Sequence, residues 1–296
     1  MRCLILGGAG MLGHRLLKSW QDRYDVRVAL RKGLSDYAAS GLFHSENSYC
    51  NVDVRDTDRL LEILADFRPD AVVNAVGIIK QRSAAKDAIP SLEINSVFPH
   101  RLQRLCQLVG ARMVHVSTDC VFDGRDGSYT EESFSNAEDL YGRSKYLGEV
   151  SESPCITLRS SIIGLELSQK ASLIEWFLAQ SGTIKGFTNA IYTGVTTAEM
   201  ARVIEHVCTV KKDLCGVWQV ASNRISKFDL LSRLSRKLGR TDLTIEPDDS
   251  FFCDRSLVGT AFERVAEYTI PSWDEMLDEL ADEILSRESA STSIAA

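Results

Sequence analysis

Three glycines near the start of the chain constrain its fold more than any other feature. Arg2–Leu6 is a short apolar run of the length of a buried parallel strand, and Gly7, Gly10 and Gly13 follow it directly in a G-x-x-G-x-x-G spacing. From Met11 onward the apolar residues fall at helical intervals, with Leu12, Leu16, Leu17 and Trp20 on one stripe. Strand, glycine turn and helix in that order is the setting of a dinucleotide-binding loop. Gly7 permits a tight turn, Gly10 leaves the backbone open to a pyrophosphate, and Gly13 lets the helix pack close to the strand. The helix N-terminus adds unpaired N–H groups and the positive end of the helix dipole. Taken alone, the spacing also fits a plain tight turn between strand and helix.

The length of 296 residues allows one large α/β domain or two smaller lobes. A net charge of −7 without a long basic block argues against nucleic acid as a partner. No apolar run approaches the roughly 20 residues of a membrane span. The opening strand lacks the n-region and h-region of a signal peptide, so a cytoplasmic location is expected. Cys3, Cys50, Cys106, Cys120, Cys155, Cys208, Cys215 and Cys253 are scattered and form no C-x-x-C, and the histidines show no metal-ligand spacing. Reduced thiols and no dedicated metal site are therefore expected.

Asp25–Leu30 alternates like a second strand and ends in Arg31-Lys32. In dinucleotide folds this position meets the adenosine ribose. An acidic residue there favours NAD, whereas a basic pair suits a 2′-phosphate, so Arg31 and Lys32 point to NADP with NAD as the alternative. A solvated surface pair is the simpler reading of the same residues. Tyr49–Val54 reads as a third strand, Asp56 or Thr57 as the cap of a helix over 58–67, and Ala71–Gly77 as a fourth strand with a small-residue turn. Residues 92–108 have helical spacing, with Asn95 near the start. Asn95 either orients groups at a site or bonds backbone. Arg112–Ser117 is a fifth strand. Strands alternating with helices predict an α/β fold: a Rossmann-type doubly wound parallel sheet.

Two later stretches carry candidate chemistry. Ser117–Gly124 closes the fifth strand, and Tyr141–Glu149 opens a helix that places Tyr141 and Lys145 four residues apart on one face. A phenol titrates near pH 10, and an ammonium beside it favours the phenolate and eases proton transfer. Lys145 can also hold a nicotinamide ribose, and Thr118 can hydrogen-bond a substrate carbonyl. Cys120 lacks a histidine nearby in sequence and is not expected to be a nucleophile.

From about Ser160 the pattern changes. The sequence predicts a dinucleotide-binding domain over 1–159, a smaller C-terminal α/β lobe over 160–287 that mainly binds substrate and can return strands to the first sheet, and a frayed tail over 288–296. Helices are predicted over 172–180, 198–210, 227–238 and 273–285, with Ser226 and Ser272 as caps for the last two, and a short strand over 217–220. Trp176 and Phe177 are expected in the core.

Together these stretches resemble the extended short-chain dehydrogenase/reductases, and more closely the dTDP-4-dehydrorhamnose reductase group of nucleotide-sugar ketoreductases. The likeness rests on GGAGMLG at 7–13, NAVG at 74–77, STDCVFDG at 117–124 and YGRSKYLGE at 141–149. It continues through 158–161, 225–231, 254–257 and 271–273. The resemblance implies that Thr118, Tyr141 and Lys145 form the catalytic set. It implies that Gly7, Gly10 and Gly13 hold the pyrophosphate, with Met11 and Leu12 touching the cofactor through their backbone. Asp53 and Val54 would flank the adenine, and Ala75, Val76 and Gly77 would lie beneath the cofactor. A nucleotide-sugar substrate would sit between the lobes, near Thr118, Cys120, Tyr141, Arg159, Tyr192 and Arg255, with Arg255 suited to a diphosphate.

The expected reaction is NADPH-dependent reduction of the 4-keto group of a nucleotide-linked 6-deoxysugar, for polysaccharide or glycoconjugate synthesis, in an enzyme that can form a homodimer. Two positions depart from the group. Cys120 replaces the usual tyrosine, and Ile78–Arg82 replaces an acidic, histidine-containing segment; both lie near the sugar. In related 4,6-dehydratases an Asp-Glu pair follows the threonine, and Cys120 is no carboxylate, so a dehydratase is disfavoured. A nucleotide-sugar epimerase is the second enzymatic reading. A non-catalytic NADP-binding regulatory subunit is the rival from another class, because this branch includes one for methionine adenosyltransferase.

Overall fold

The computed structural model describes residues 1–79, 87–168 and 170–295. The first six strands are β1 (Arg2–Leu6), β2 (Asp25–Ala29), β3 (Ser48–Tyr49), β4 (Ala71–Asn74), β5 (Arg112–Thr118) and β6 (Cys155–Ser160). Later come β7 (Ile162–Ile163), β8 (Gly182–Phe187), β9 (Ala190–Tyr192), β10 (Val195–Thr196), β11 (Gly216–Gln219), β12 (Ile225–Ser226), β13 (Leu243–Asp248) and β14 (Cys253–Asp254). The helices are α1 (Met11–Trp20), α2 (Thr57–Phe67), α3 (Ala88–Leu92), α4 (Phe98–Val109), α5 (Leu140–Leu147), α6 (Leu173–Leu178), α7 (Thr197–Thr209), α8 (Lys227–Lys237), α9 (Thr260–Ala266) and α10 (Trp273–Ala295).

The central sheet has seven strands in the order β11-β6-β5-β4-β1-β2-β3, and every pairing in it is parallel. The alternation along β1 explains the double winding. Cys3 and Ile5 point into a core with Leu16, Leu17 and Trp20 of α1, whereas Leu4 and Leu6 point into a second core with Leu60, Ile63 and Leu64 of α2 and Leu102 of α4. Each fully buried Leu or Ile contributes roughly 1.5–3 kcal/mol, so neither layer of helices can be removed without exposing one face of the sheet.

The expected α/β class, a doubly wound parallel sheet, is present, with four local differences. The third strand covers only Ser48–Tyr49, because Asn51 adopts φ +55 and turns the chain out of extended conformation before Val54. The single helix expected over 92–108 is two helices joined by a π-helical turn at Glu93–Val97. Such turns gather at functional sites. Ser226 and Ser272 do cap their helices; Ser272 and Glu275 form a reciprocal box in which Ser272 N–H donates to the carboxylate at 2.8 Å. Finally, α10 continues past Glu288 to Ala295 where fraying was expected. Arg287 is tied to Glu175 of α6 at 2.5 Å just before this stretch.

Residues 160–287 return to the first domain more fully than a separate lobe would. Strand β11 adds to the outer edge of the sheet beside β6, and α7 packs on α1, sharing its core through Val203, Ile204 and Val207. The remaining pairings are small: β7 with β10, β8 with β13, and β9 between β12 and β14. Phe177 lies in the core as expected, but Trp176 is 41% exposed. All eight cysteines are free thiols. No helix among the described residues is long and apolar enough to cross a membrane.

Candidate active site

The glycine loop is built as the sequence predicts. Gly7 has φ +85, and a Cβ there would lie 2.9 Å from the Ala75 carbonyl oxygen. A side chain on Gly13 would collide with the Gly7 backbone. Gly10 N–H donates to Gly7 O at 2.9 Å, which closes the turn. Gly10 is also the N-cap of α1 and offers no side-chain hydrogen bond, so the first-turn N–H groups of the helix have no side-chain cap. Ala75, Val76 and Gly77 run alongside. The Val76 N–H donates to Asn74 Oδ1 at 3.2 Å, and a Cβ on Gly77 would face Asn95 Oδ1. Met11 and Leu12 form the first turn. This cradle fits a dinucleotide pyrophosphate, and only glycine leaves the room.

Arg31 and Lys32 stand exposed at the end of β2. Lys32 lies 3.5 Å from Asp36. Asp53 is forked by Arg55 through contacts of 3.0 Å and 2.6 Å, which hold its carboxyl well down, at about 2. Arg31 adds a weaker pull on the same carboxylate. Val54 packs against the second core.

The second part of the site is the junction of β5 and α5. Thr118 ends β5 and accepts the Cys120 N–H at 3.2 Å, capping a 3₁₀ turn at Asp119–Val121. Asp139 caps α5 by accepting the Gly142 N–H at 2.8 Å. A side chain on Gly142 would collide with the Cys120 carbonyl, so glycine seats the first turn of α5 directly on the end of β5. That seating brings Tyr141 beside Thr118, whose hydroxyl itself donates to Asp119 Oδ1 at 3.1 Å. Lys145 follows on the same face, is only 4% exposed, and donates from Nζ to the Val116 carbonyl at 2.7 Å.

Burial pushes the Tyr141 phenol up; the neighbouring Thr118 opposes that shift. Burial lowers the Lys145 ammonium to about 8, with Glu149 pulling the other way. The set can hold a carbonyl at Thr118 and deliver a proton from Tyr141.

Asn95 resolves the choice between orienting and bonding backbone by doing both. Its amide donates to Ile78 O at 3.0 Å and accepts the Ile78 N–H at 2.8 Å, while a second N–H reaches Ser144 Oγ at 3.1 Å. The π-helical turn thus holds α5 beside the fourth-strand turn. Ile78 and Ile79 are in place there; Lys80, Gln81 and Arg82 lie outside the described residues.

Of the six residues expected near the substrate, the three that follow α5 differ in setting. Arg255 donates from Nε to Phe122 O at 2.8 Å, and its charge lies close to Asp119 and Cys120. Tyr192 is buried against Trp273, ring centroids 5.6 Å apart, and its hydroxyl is within electrostatic reach of Asp119 and Cys120. Arg159 is buried and gives two of its guanidinium nitrogens to Glu149, at 2.8 Å and 2.7 Å, while Nη1 is buried without a hydrogen-bond partner among the described residues. Burial lifts the Cys120 thiol to about 12, in keeping with no nucleophilic role. Two supporting residues escaped the sequence reading, Glu149 and Ser117. Glu149 lies four residues beyond Lys145, just past the end of α5, and that spacing was the available signal.

The family described as the RmlD substrate binding domain matches residues 1–249. Over 263 residues, 83% of each chain, this protein is 24% identical to a probable low-salt glycan biosynthesis reductase, Agl14, of Haloferax volcanii. A 148-residue stretch, 50% of this chain and 41% of the relative, is 26% identical to methionine adenosyltransferase 2 subunit beta of Bos taurus. The chain therefore spans less than half the length of that relative. The crystal structure of dTDP-4-dehydrorhamnose reductase from Bacillus anthracis, in complex with NADP, superposes with a TM-score of 0.77 at 21% identity, covering 95% of this chain and 99% of that one. That likeness shows the shared fold. With a match across the glycine loop, the Thr-Tyr-Lys junction and most of the C-terminal part, the chain belongs to the RmlD substrate binding domain family.

Proposed function

We propose that this protein is an NADPH-dependent reductase of the 4-keto group of a nucleotide-linked 6-deoxysugar, acting in the cytoplasm in glycan synthesis. The observation that carries the reading is the junction of β5 and α5, where Thr118, Tyr141 and Lys145 meet at the end of the sheet that also presents the glycine loop. The reductases among the similar proteins, one of them solved with NADP, support it.

Gly7, Gly10, Gly13 and the backbone of Met11 and Leu12 hold the pyrophosphate. Ala75, Val76 and Gly77 line the cofactor, with Asp53 and Val54 at the adenine. Arg31 and Lys32 take the 2′-phosphate. Bound NADPH supplies a hydride to C4 of the sugar. Thr118 orients the carbonyl. Tyr141 donates the proton that turns the developing alkoxide into a hydroxyl, and bulk water reprotonates the phenolate. Lys145 keeps that phenolate favourable and holds the ribose. Tyr192, Cys120 and Arg255 face the nucleotide-sugar, with Arg255 toward the diphosphate.

The test is NADPH oxidation with dTDP-, UDP-, GDP- and CDP-linked 4-keto-6-deoxysugars, with Tyr141→Phe as control. Turnover on one of them that vanishes in the variant is expected. Tight NADPH binding without turnover on any would reject the reading and favour a regulatory subunit, for which the similarity to the methionine adenosyltransferase subunit is the specific support. Interconversion of sugar epimers with no net NADPH consumption would favour an epimerase.

A further inference from the structure

Two adjacent phenylalanines in the stretch joining β13 to β14 lie open, Phe251 at 46% and Phe252 at 63% exposure. The Phe251 ring is backed by Phe187 at the end of β8, with ring centroids 5.1 Å apart. Isolated exposed apolar residues are ordinary, whereas neighbouring ones that form one apolar patch point to binding. The stretch that carries the rings is tied down. Thr188 N–H donates to Asp248 O at 2.9 Å, Ser250 N–H to Asp248 Oδ1 at 2.9 Å and Cys253 N–H to Asn189 O at 3.0 Å. The rings therefore stand on an ordered support.

Their place follows from β14. This strand pairs with β9 through Cys253 and Asp254, and the Asp254 N–H donates to Gly124 O at 2.7 Å. A Cβ on Gly124 would lie 2.8 Å from Cys253 Sγ and 3.0 Å from Arg255 Cγ. These alternate residues thus share the face of β14 that lies on the loop from Ser117 to Gly124. From there the Arg255 guanidinium turns back along the loop, to Phe122 O at 2.8 Å and Asp123 O at 3.3 Å, toward the end that holds Thr118. Leading away from Thr118, the order is Arg255, then Cys253 against Gly124, then Phe252 and Phe251. Four residues of chain separate Arg255 from Phe251, a reach of up to about 13 Å.

A nucleotide-sugar has the same order: sugar, diphosphate, nucleoside. With the sugar at Thr118 and Tyr141 and the diphosphate toward Arg255, the base falls at the phenylalanines. Their chemistry fits a base and little else. Phenylalanine has no hydrogen-bonding group, so it takes a flat ring by its face. Asp249, just before the pair, is exposed and disfavours a phosphate there. Two half-open rings offer at most a few hundred Å², well short of the roughly 800 Å² per partner of a stable protein interface.

We propose that Phe251 and Phe252 form the platform on which the base of the nucleotide-sugar stacks, backed by Phe187. The identity of the ligand rests on the reductase reading. Because a face and not an edge is held, the platform accepts more than one base.

The experiment measures binding of dTDP, UDP and inorganic pyrophosphate by calorimetry, with the protein saturated with NADP⁺ so that the cofactor cradle is filled. In Phe251→Ala/Phe252→Ala, Kd for dTDP and for UDP rises about tenfold, while Kd for pyrophosphate is unchanged. Phe252→Trp keeps the affinity and Phe252→Leu loses part of it, which separates stacking from plain apolar contact. In the wild type, NOEs connect phenylalanine ring protons to H6 of the dTDP base, and they disappear in the double variant; this arm stands even if a variant folds poorly. Unchanged dTDP affinity in the folded double variant, an equal loss for pyrophosphate, or no ring-to-base NOE in the wild type would overturn the platform and leave the reductase reading intact. Stacked dTDP with no turnover of any 4-keto-6-deoxysugar would uphold the platform and count against the reductase reading alone. Failure of the wild type to bind either nucleoside diphosphate would overturn both.

Discussion

The β1–β6 half of the molecule and the part that follows it are built by different means. In the first, β1, β2, β4, β5 and β6 pair with in-register neighbours over four to six residues, and the loops at one end of the sheet carry the candidate cofactor cradle and the Thr118–Tyr141–Lys145 junction. In the second, β8 pairs with β13 over six residues, but β7, β9, β10, β12 and β14 have only two or three residues each, and polar side chains pin the segments around β14. Arg224 bonds Ser128, Asp254 and Ser256, and Ser256 accepts the Ser128 N–H at 2.8 Å. A regular sheet fixes chemistry to within a hydrogen bond. A loosely paired, polar-pinned region can change its surface without disturbing that sheet, which suits recognition of varied substrates. The contrast predicts that damage to the first region lowers kcat or abolishes cofactor binding, whereas damage to the second mainly raises KM.

The largest effect is expected at Tyr141. Tyr141→Phe removes the proton donor and lowers kcat by ~10²–10⁴-fold while NADPH binding stays intact. A wild-type rate in this variant would place the chemistry elsewhere. Next is the cradle. Gly13→Val puts a side chain against Gly7 backbone, costing about 1–3 kcal/mol of stability by overpacking and abolishing NADPH binding measured by fluorescence titration. Binding that survives would mean that α1 is not held against the pyrophosphate.

Crossing to the second region, Arg255→Ala removes a cation beside Asp119 and Cys120. It is expected to raise KM for the nucleotide-sugar ~10–100-fold, the scale of a lost charge-assisted hydrogen bond, with kcat nearly constant. An equal fall in kcat would blur the division between the two regions. The smallest effect belongs to Arg31→Ala/Lys32→Ala. Both residues are exposed, so the preference for NADPH over NADH should fall about tenfold while kcat with saturating NADPH holds.

What could be read from the sequence follows the same division. Apolar alternation and helical spacing located β1, β2, β4, β5 and α1, and the glycine, Thr-Asp and Tyr-x-x-x-Lys patterns pointed to the candidate site, because these depend on neighbours within a few residues. Asn51 ended the third strand early through a backbone angle that no apolar pattern encodes. Strands such as β7, β10, β12 and β14 are too short for any periodicity; they exist because distant segments meet, as Ile225 does Tyr192 and Cys253 does Ala190. Arg159 looked available because a lone arginine at the end of a strand says nothing of its partner. The structure supplies Glu149, ten residues earlier, and turns the residue inward.

The central claim is that hydride reaches C4 of a nucleotide-linked 4-ketosugar at the Thr118–Tyr141–Lys145 junction. The most direct measurement uses NADPH carrying deuterium at the transferable C4 position and follows the label into the product by NMR. The account predicts one deuterium at sugar C4 for each NADP⁺ formed, with labelled product forming ~10²–10⁴-fold more slowly in Tyr141→Phe. Oxidation of the cofactor with no label at C4, or an unlabelled epimer made with no NADP⁺ formed, would contradict it.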